Sequence, residues 1–323
     1  NFLLNFGLTL VIIVGAYRVN SGASEPGKIV AFLSYFTIML HAVMAINRIF
    51  VVYSKAIASA KRIEEVLDAP EDLVEKAIVD EVTEEHIIFD HVSFSYTQEP
   101  CISDISFSLK KGESLGIIGS TGSGKTTLIN LLMRFYDVQE GSIRINGQDI
   151  RSIPKQELRK KFGVVFQNDV LFADTVAENI RIGRDLPSNA LWMAAEHAQA
   201  ADFVENLDGQ LDFKLAIKGS NLSGGQKQRL LITRALAGKP EILILDDSSS
   251  ALDYKTDAQL RKAIRENYSG TTTIMIAQRI SSVMKLDHIL VIEDGQMAGY
   301  GTHEELLENC NVYQEIYQSQ LMN

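Results

Sequence analysis

The run Gly119-Ser120-Thr121-Gly122-Ser123-Gly124-Lys125-Thr126, followed by Thr127, fits G-x-x-x-x-G-K-[ST]. It follows the apolar stretch SLGII and precedes a helical pattern beginning near Lys125, the setting such a loop requires. Glycines let backbone N–H groups turn inward on a nucleotide's phosphates, and the N-terminus of the next helix adds a favourable dipole. There Lys125 would reach the β- and γ-phosphates and the Thr126 hydroxyl would hold Mg²⁺. A second run, Ile242-Leu-Ile-Leu-Asp246-Asp247, reads as a buried parallel strand ending in two carboxylates. Ligands of open α/β sheets sit beyond the carboxyl ends of the strands, so Asp246 is placed to hold the metal shell. The two runs together predict a nucleotide site.

Leu222-Ser223-Gly224-Gly225-Gln226 precedes KQRLLITRALAGKP, a helical stretch with Gly238 as its stop and Pro240 just beyond. Ser223 could be an N-cap and nothing more. Lying between a phosphate loop and an ILILDD strand, however, the five residues resemble the signature motif of ATP-binding cassette (ABC) proteins, and the resemblance extends over nearly the whole chain. It implies roles for further residues. Gln167, in VVFQND, matches the loop glutamine that links Mg²⁺ and the attacking water to the membrane domain. Ser250-Ala-Leu-Asp253 matches the loop that crosses a dimer interface, and Tyr96 the aromatic residue that stacks on adenine. The resemblance also implies two ATP molecules sandwiched between two subunits, the phosphate loop of one facing the signature motif of the other. Two glycines and a helix N-terminus suit that task, because they let backbone close upon a γ-phosphate.

The sequence departs from the family at the hydrolytic centre. Active members carry Glu after the metal-binding Asp, as general base; here it is Asp247, one methylene shorter. A catalytic group displaced by about 1 Å can cost on the order of 10²-fold. The usual switch histidine is replaced by Gln278, in Ala277-Gln-Arg279, which can hydrogen-bond a γ-phosphate but carries no proton or charge there. The stretch Leu215-Ala-Ile-Lys-Gly219 lacks the glutamate common in exporters.

The elements that must position these residues fall into two regions. From Ile87 onward, β-rich runs (Ile87–Phe89, Val92–Tyr96, Ile105–Leu109, Ser114–Ile118, Ser142–Ile145, Gly163–Phe166, Ile242–Leu245, Thr272–Ile276, His288–Glu293) alternate with helical stretches. This predicts an α/β domain over 87–323: a mostly parallel sheet with an antiparallel β subdomain, to which the family resemblance adds a helical subdomain. Before it lie two apolar stretches, Phe2–Tyr17 and Ile29 to about Val52, joined by a polar turn. The second has the roughly 20 residues that a membrane-crossing helix needs. Residues 1–52 are thus expected to be two transmembrane helices, at about 1–19 and 29–52, the first cut by the start of the chain. Residues 53–86 are expected to be an exit helix ending near Pro70 and a solvated linker. Lys55, Lys61 and Arg62 place residues from about 53 on the cytoplasmic side. Ser34, Thr37, His41 and Arg48 share one helix face, a stripe that either borders a translocation pathway or packs against a neighbouring helix. The hairpin and exit helix resemble the last two membrane helices of an exporter half, of which the first four are missing here.

The 323 residues carry 31 Lys plus Arg against 41 Asp plus Glu, a net charge of −10 that argues against a basic nucleic-acid-binding face. Only six Pro and 22 Gly exclude a disordered or collagen-like chain. The two cysteines, Cys101 and Cys310, form no disulfide framework and suit a reducing cytosol. The expectation is a multi-pass plasma (inner) membrane protein that uses ATP and Mg²⁺. It is expected to be the degenerate-site subunit of a heterodimeric exporter of amphipathic drugs or lipids. Its partners would be a non-identical half-transporter with the consensus Glu and His, the lipid bilayer and a hydrophobic small molecule. The alternatives are a homodimer with two slow sites, a membrane-anchored regulatory ATP binder, and a P-loop kinase or GTPase, which would leave LSGGQ and both apolar helices unexplained.

Overall fold

The computed structural model describes residues 2–69, 73–247 and 252–321. It divides into two units, one ending at Asp72 and one starting at Leu73.

The first unit is two helices, α1 (Phe2–Asn20) and α2 (Pro26–Leu67). Pro26 takes the first position of α2, where its missing N–H costs nothing. The apolar span and the exit helix anticipated from the sequence are one uninterrupted helix of 42 residues, with no residue buried. Among the described residues it is the one helix long and apolar enough to cross a membrane. The helices meet where Gly15 leaves room for Ile29: a Cβ on Gly15 would lie 3.0 Å from the Ile29 side chain. Ser34 and Thr37 donate their hydroxyls to the carbonyls of Val30 and Leu33 at 2.9 and 2.8 Å, as hydroxyls in an apolar surrounding do.

The second unit runs β1 (Glu85–Phe94), β2 (Ile102–Lys110), β3 (Ser114–Ile118), α3 (Lys125–Leu132), β4 (Glu140–Ile145), β5 (Gln148–Asp149), α4 (Lys155–Lys160), β6 (Phe162–Val165), α5 (Val176–Arg181), α6 (Ser188–His197), α7 (Ala201–Glu205), α8 (Gly224–Ala237), β7 (Ile242–Asp246), α9 (Tyr254–Asn267), β8 (Thr272–Ile276), α10 (Ile280–Val283), β9 (His288–Glu293), β10 (Gln296–Gly301), α11 (His303–Asn309) and α12 (Asn311–Leu321). A four-stranded antiparallel sheet has the order β2-β1-β4-β5, and a six-stranded sheet the order β10-β9-β3-β8-β7-β6. Strands β9, β3, β8, β7 and β6 are parallel, with β10 antiparallel at the edge. All five residues of β7 and of β8 are buried, as befits central strands of a parallel sheet. Because the five strands point one way, the segments that follow β3, β6, β7 and β8 emerge on one edge.

Three strand assignments differ from the sequence reading, the shortest being the two-residue β5, which pairs with β4. The runs 87–89 and 92–96 are one strand, β1, whose register shifts between Phe89 and Val92, where His91 has φ 48°. Such a bulge bends a strand without ending it. Strand β10, QMAGYG, was not foreseen: its glycines and exposed polar residues lack the β-branched signal of a central strand. Around α5, α6, α7 and α8 a second core closes over Leu191, Val204, Leu230 and Ile232 against the β6–β7 side of the sheet.

Candidate functional site

The edge where the parallel strands end carries a cleft of ≈ 210 Å³ lined by Thr121, Gly122, Gly124, Lys125, Thr126, Thr127, Gln167, Asp246, Asp247 and Gln278, with Cys101 and Ile276. One wall is the loop between β3 and α3. Gly124 has φ 105°, and a Cβ there would meet Ile102 Cδ1 at 2.5 Å, so the turn into α3 accepts only glycine. Leu128, Ile129, Leu131 and Leu132 anchor α3 in the core and fix its N-terminus at the cleft. Lys125 Nζ donates to the carbonyls of Gly119 and Ser120 at 2.9 and 2.6 Å, so the loop folds around the ammonium. Burial pulls the Lys125 pKa down, opposed by Asp246.

The facing wall is built from strand ends. Asp246 closes β7 and is buried; burial pushes its pKa up, the neighbouring Asp247 carboxylate pushes it further, and Lys125 opposes both. Asp247 sits in the left-handed region at φ 47°, and its N–H donates to the Ile276 carbonyl at 3.0 Å. The Gln278 side-chain amide donates to Asp247 Oδ2 at 3.3 Å. Thus the two positions that depart from the family pattern touch each other at the cleft. Gln167, beyond β6, reaches the same cleft. Thr126, Gln167 and Asp246 line the same cleft and offer hydroxyl, amide and carboxylate oxygens, the hard donors that Mg²⁺ takes, and burial and then Asp247 push the Asp246 carboxyl up, a cost that a cation there would offset. The residues present therefore fit that ion.

Other anticipated residues lie around the cleft or away from it. Gly119, Ser120 and Ser123 belong to the loop without lining the cleft, and Ser123 is 2% exposed with no partner for its hydroxyl. Tyr96 stands beside it with 47% of its surface exposed, its ring edge-on to Phe94 and Tyr136 at 4.9 and 5.0 Å. Its hydroxyl donates to Thr127 Oγ1 at 3.4 Å. Ser223, Gly224, Gly225 and Gln226 do not line the cleft; they open α8, where Ser223 and Gln226 cap each other through a reciprocal pair at 2.9 and 3.3 Å. A Cβ on Gly224 would meet nothing within 4 Å. Asp253 caps α9, accepting from the N–H and hydroxyl of Thr256 at 3.0 and 2.7 Å, which holds its pKa below the usual carboxylate value. Ser250 and Ala251 of that loop lie outside the described residues, as does Pro70. Cys101 was missed as a cleft residue. It precedes β2, its Sγ lies 3.3 Å from Thr127 Oγ1, and no spacing in the sequence marks it.

Residues 102–250 match the family model "ABC transporter". A probable multidrug resistance ABC transporter ATP-binding/permease protein of Bacillus subtilis (strain 168) is 42% identical over 95% of this chain and 53% of its own length. An ATP-dependent lipid A-core flippase of Desulfotalea psychrophila is 37% identical over 98% of this chain and 56% of its own. A bacterial Atm1-family ABC exporter solved with ATP bound superimposes with a TM-score of 0.77 at 31% identity, over 99% of this chain and 56% of that one. The chain spans about half the length of the curated relatives it matches.

Proposed function

Because the unit that starts at Leu73 is an ABC transporter nucleotide-binding domain, we propose that this chain works as one half of an ATP-driven exporter of amphipathic small molecules, drugs or lipids. We further propose that its own ATP site is the slow member of an unlike pair. In this reading Tyr96 stacks on adenine and the Gly119–Thr127 loop holds the phosphates, with Lys125 on the β- and γ-groups. Thr126, Gln167 and Asp246 hold Mg²⁺, which would neutralise the charge spread over the β- and γ-oxygens. Ser223-Gly224-Gly225-Gln226 closes over the ATP of a second half-transporter, and Asp253 stands at the interface between the two. The open space around Gly224 supports that assignment, since nothing in this chain requires glycine there.

One observation carries the asymmetry: the 3.3 Å contact of Gln278 with Asp247, where the family pattern has His and Glu. A general base must come within hydrogen-bond reach of the water it activates. Here the carboxylate is one methylene short and is engaged by a neutral amide. In this reading both features slow the chemistry while leaving the phosphate loop intact.

The membrane arrangement follows the same reading: α1 and the apolar part of α2 cross the plasma (inner) membrane, and the nucleotide-binding domain is cytoplasmic. The Ser34–Thr37–His41–Arg48 face borders the translocation pathway.

The test is ATPase activity and ATP-dependent drug or lipid accumulation in vesicles that hold this protein with its partner half. Asp247→Asn should leave most turnover in place, whereas removing the partner's catalytic Glu should abolish it. Equal loss from both changes defeats the asymmetry. Turnover without accumulation of any amphipathic substrate defeats export and favours a regulatory ATP binder.

A further inference from the structure

Gln278 belongs to a short connection between β8 and α10, and the support of that connection comes from the far end of the chain. We infer that Gln320, on the last turn of α12, is a positioning residue for Gln278; this rests on the reading that Gln278 faces the γ-phosphate of ATP.

The geometry is a two-point latch. Gln320 Nε2 donates to the Gln278 carbonyl at 2.8 Å, and Gln320 Oε1 accepts from the Ile280 N–H, also at 2.8 Å. One primary amide thus spans the carbonyl of one residue and the N–H two residues on, and the two ends are chemically distinct, so the amide fits in one orientation only. The Ile280 N–H is the first of α10, one of the donors that a helix leaves without an internal partner. The residue before it, Arg279, makes no side-chain cap. Gln320 therefore supplies from a distance what a local N-cap would have supplied.

The latch has a firm base. Tyr313 of α12 is fully buried among Ala277, Ile280 and Val283, so α12 stays docked whatever occupies its exposed position 320. On the other side of the connection Arg261 of α9 donates to the Ser282 carbonyl, and α9 is the helix that Asp253 caps. The stretch 278–282 is held between α9 and α12, and Gln278 leaves it with its amide on Asp247. Releasing the Gln320 end frees the backbone of Gln278, and its amide then spends less time aimed into the cleft.

The readout must be specific for the γ-phosphate, since only that group meets Gln278. Photo-labelling of this chain by 8-azido-ATP, in membranes holding the full-length protein, can be competed by ATP or by ADP. Gln320→Ala removes both hydrogen bonds of the latch; it should weaken competition by ATP about fivefold, less than outright loss of a charge-assisted bond to the γ-phosphate, and leave competition by ADP unchanged. Gln320→Glu keeps the acceptor for Ile280 but sets an oxygen against the Gln278 carbonyl, so it should lose at least as much. Gln278→Ala sets the ceiling, and the Gln278→Ala, Gln320→Ala pair should lose no more than Gln278→Ala alone. If ATP and ADP weaken together in Gln320→Ala, or if their ratio holds there while Gln278→Ala changes it, the latch is wrong and the γ-phosphate role of Gln278 stands. If Gln278→Ala leaves the ratio unchanged, that role fails and the latch fails with it.

Discussion

The two walls of the nucleotide cleft are built by different means. The phosphate-loop wall is rooted in the core: α3 buries four apolar side chains, Ser123 is 2% exposed, and Gly124 has no room for another residue. The facing wall is made of side chains standing on strand ends, with Gln278 exposed, Asp247 half-buried and one 3.3 Å contact between them. The loop's shape is dictated by backbone and packing, so changing it disturbs the fold. The rim of Asp247 and Gln278 can change by a methylene or an amide with far less disturbance of the packing beneath it. A domain of this design can lose fast turnover and remain a sound ATP binder, as the proposed division of labour requires.

The largest expected effect breaks the sound wall. Lys125→Ala removes the ammonium that the loop encloses, and charge-assisted hydrogen bonds are worth about 1.5–3 kcal/mol each, so ATP photo-labelling of this chain should fall on the order of 10²-fold. Retained labelling would mean that the cleft is not where the nucleotide sits. Next comes repair of the weak wall. Asp247→Glu with Gln278→His should raise hydrolysis at this site by roughly 10- to 100-fold, the scale that about 1 Å of misplacement costs. No gain would mean that these two positions do not limit hydrolysis at this site.

Asp246 stands on the facing wall and interacts with Lys125 of the other, and its charge gives a third, intermediate test. Burial first, then Asp247, makes its carboxyl harder to ionise in the fold than in the unfolded chain. The native state then binds the proton more tightly, so stability falls as pH rises from the ordinary value of 3.8 through the raised native value, and the full penalty is present above it. Asp246→Asn should accordingly raise the melting temperature of the nucleotide-free protein at neutral pH, with the gain shrinking towards pH 4. The same variant should lose Mg²⁺-dependent protection by ATP. A variant less stable at neutral pH would show that the carboxylate has a compensating partner in the fold.

How much of this was legible beforehand follows the same division. The loop, the DD strand end and the signature helix announce themselves because glycine spacing, apolar runs and capping residues are local signals. Strands β3, β7 and β8 were placed within a residue for that reason. The 42-residue continuity of α2 was not legible, since its small and charged residues after 52 changed the composition without breaking the helical period. Nor was β10, held by edge pairing with β9 rather than by its own propensity. Cys101 reaches the cleft from just before β2, and Gln320 holds the backbone of Gln278 and Ile280 from α12, yet no spacing rule marks Cys101 or connects position 320 with 278.

The smallest effect tests whether the signature belongs to this chain's fold or to another subunit's chemistry. Ser223→Ala removes the hydroxyl that accepts from the Gln226 N–H, one half of the cap that opens α8. Loss of such a cap costs about 1 kcal/mol, and for a domain of this size roughly 2–4 °C in melting temperature. Were the motif merely a helix start, that modest loss would be the whole consequence. Since Gly224 faces open space and none of the four residues lines this chain's own cleft, hydrolysis by the assembled pair should fall by more than the stability change explains. Photo-labelling of this chain by ATP should stay as it was. Weakened labelling of this chain would instead tie the motif to its own cleft.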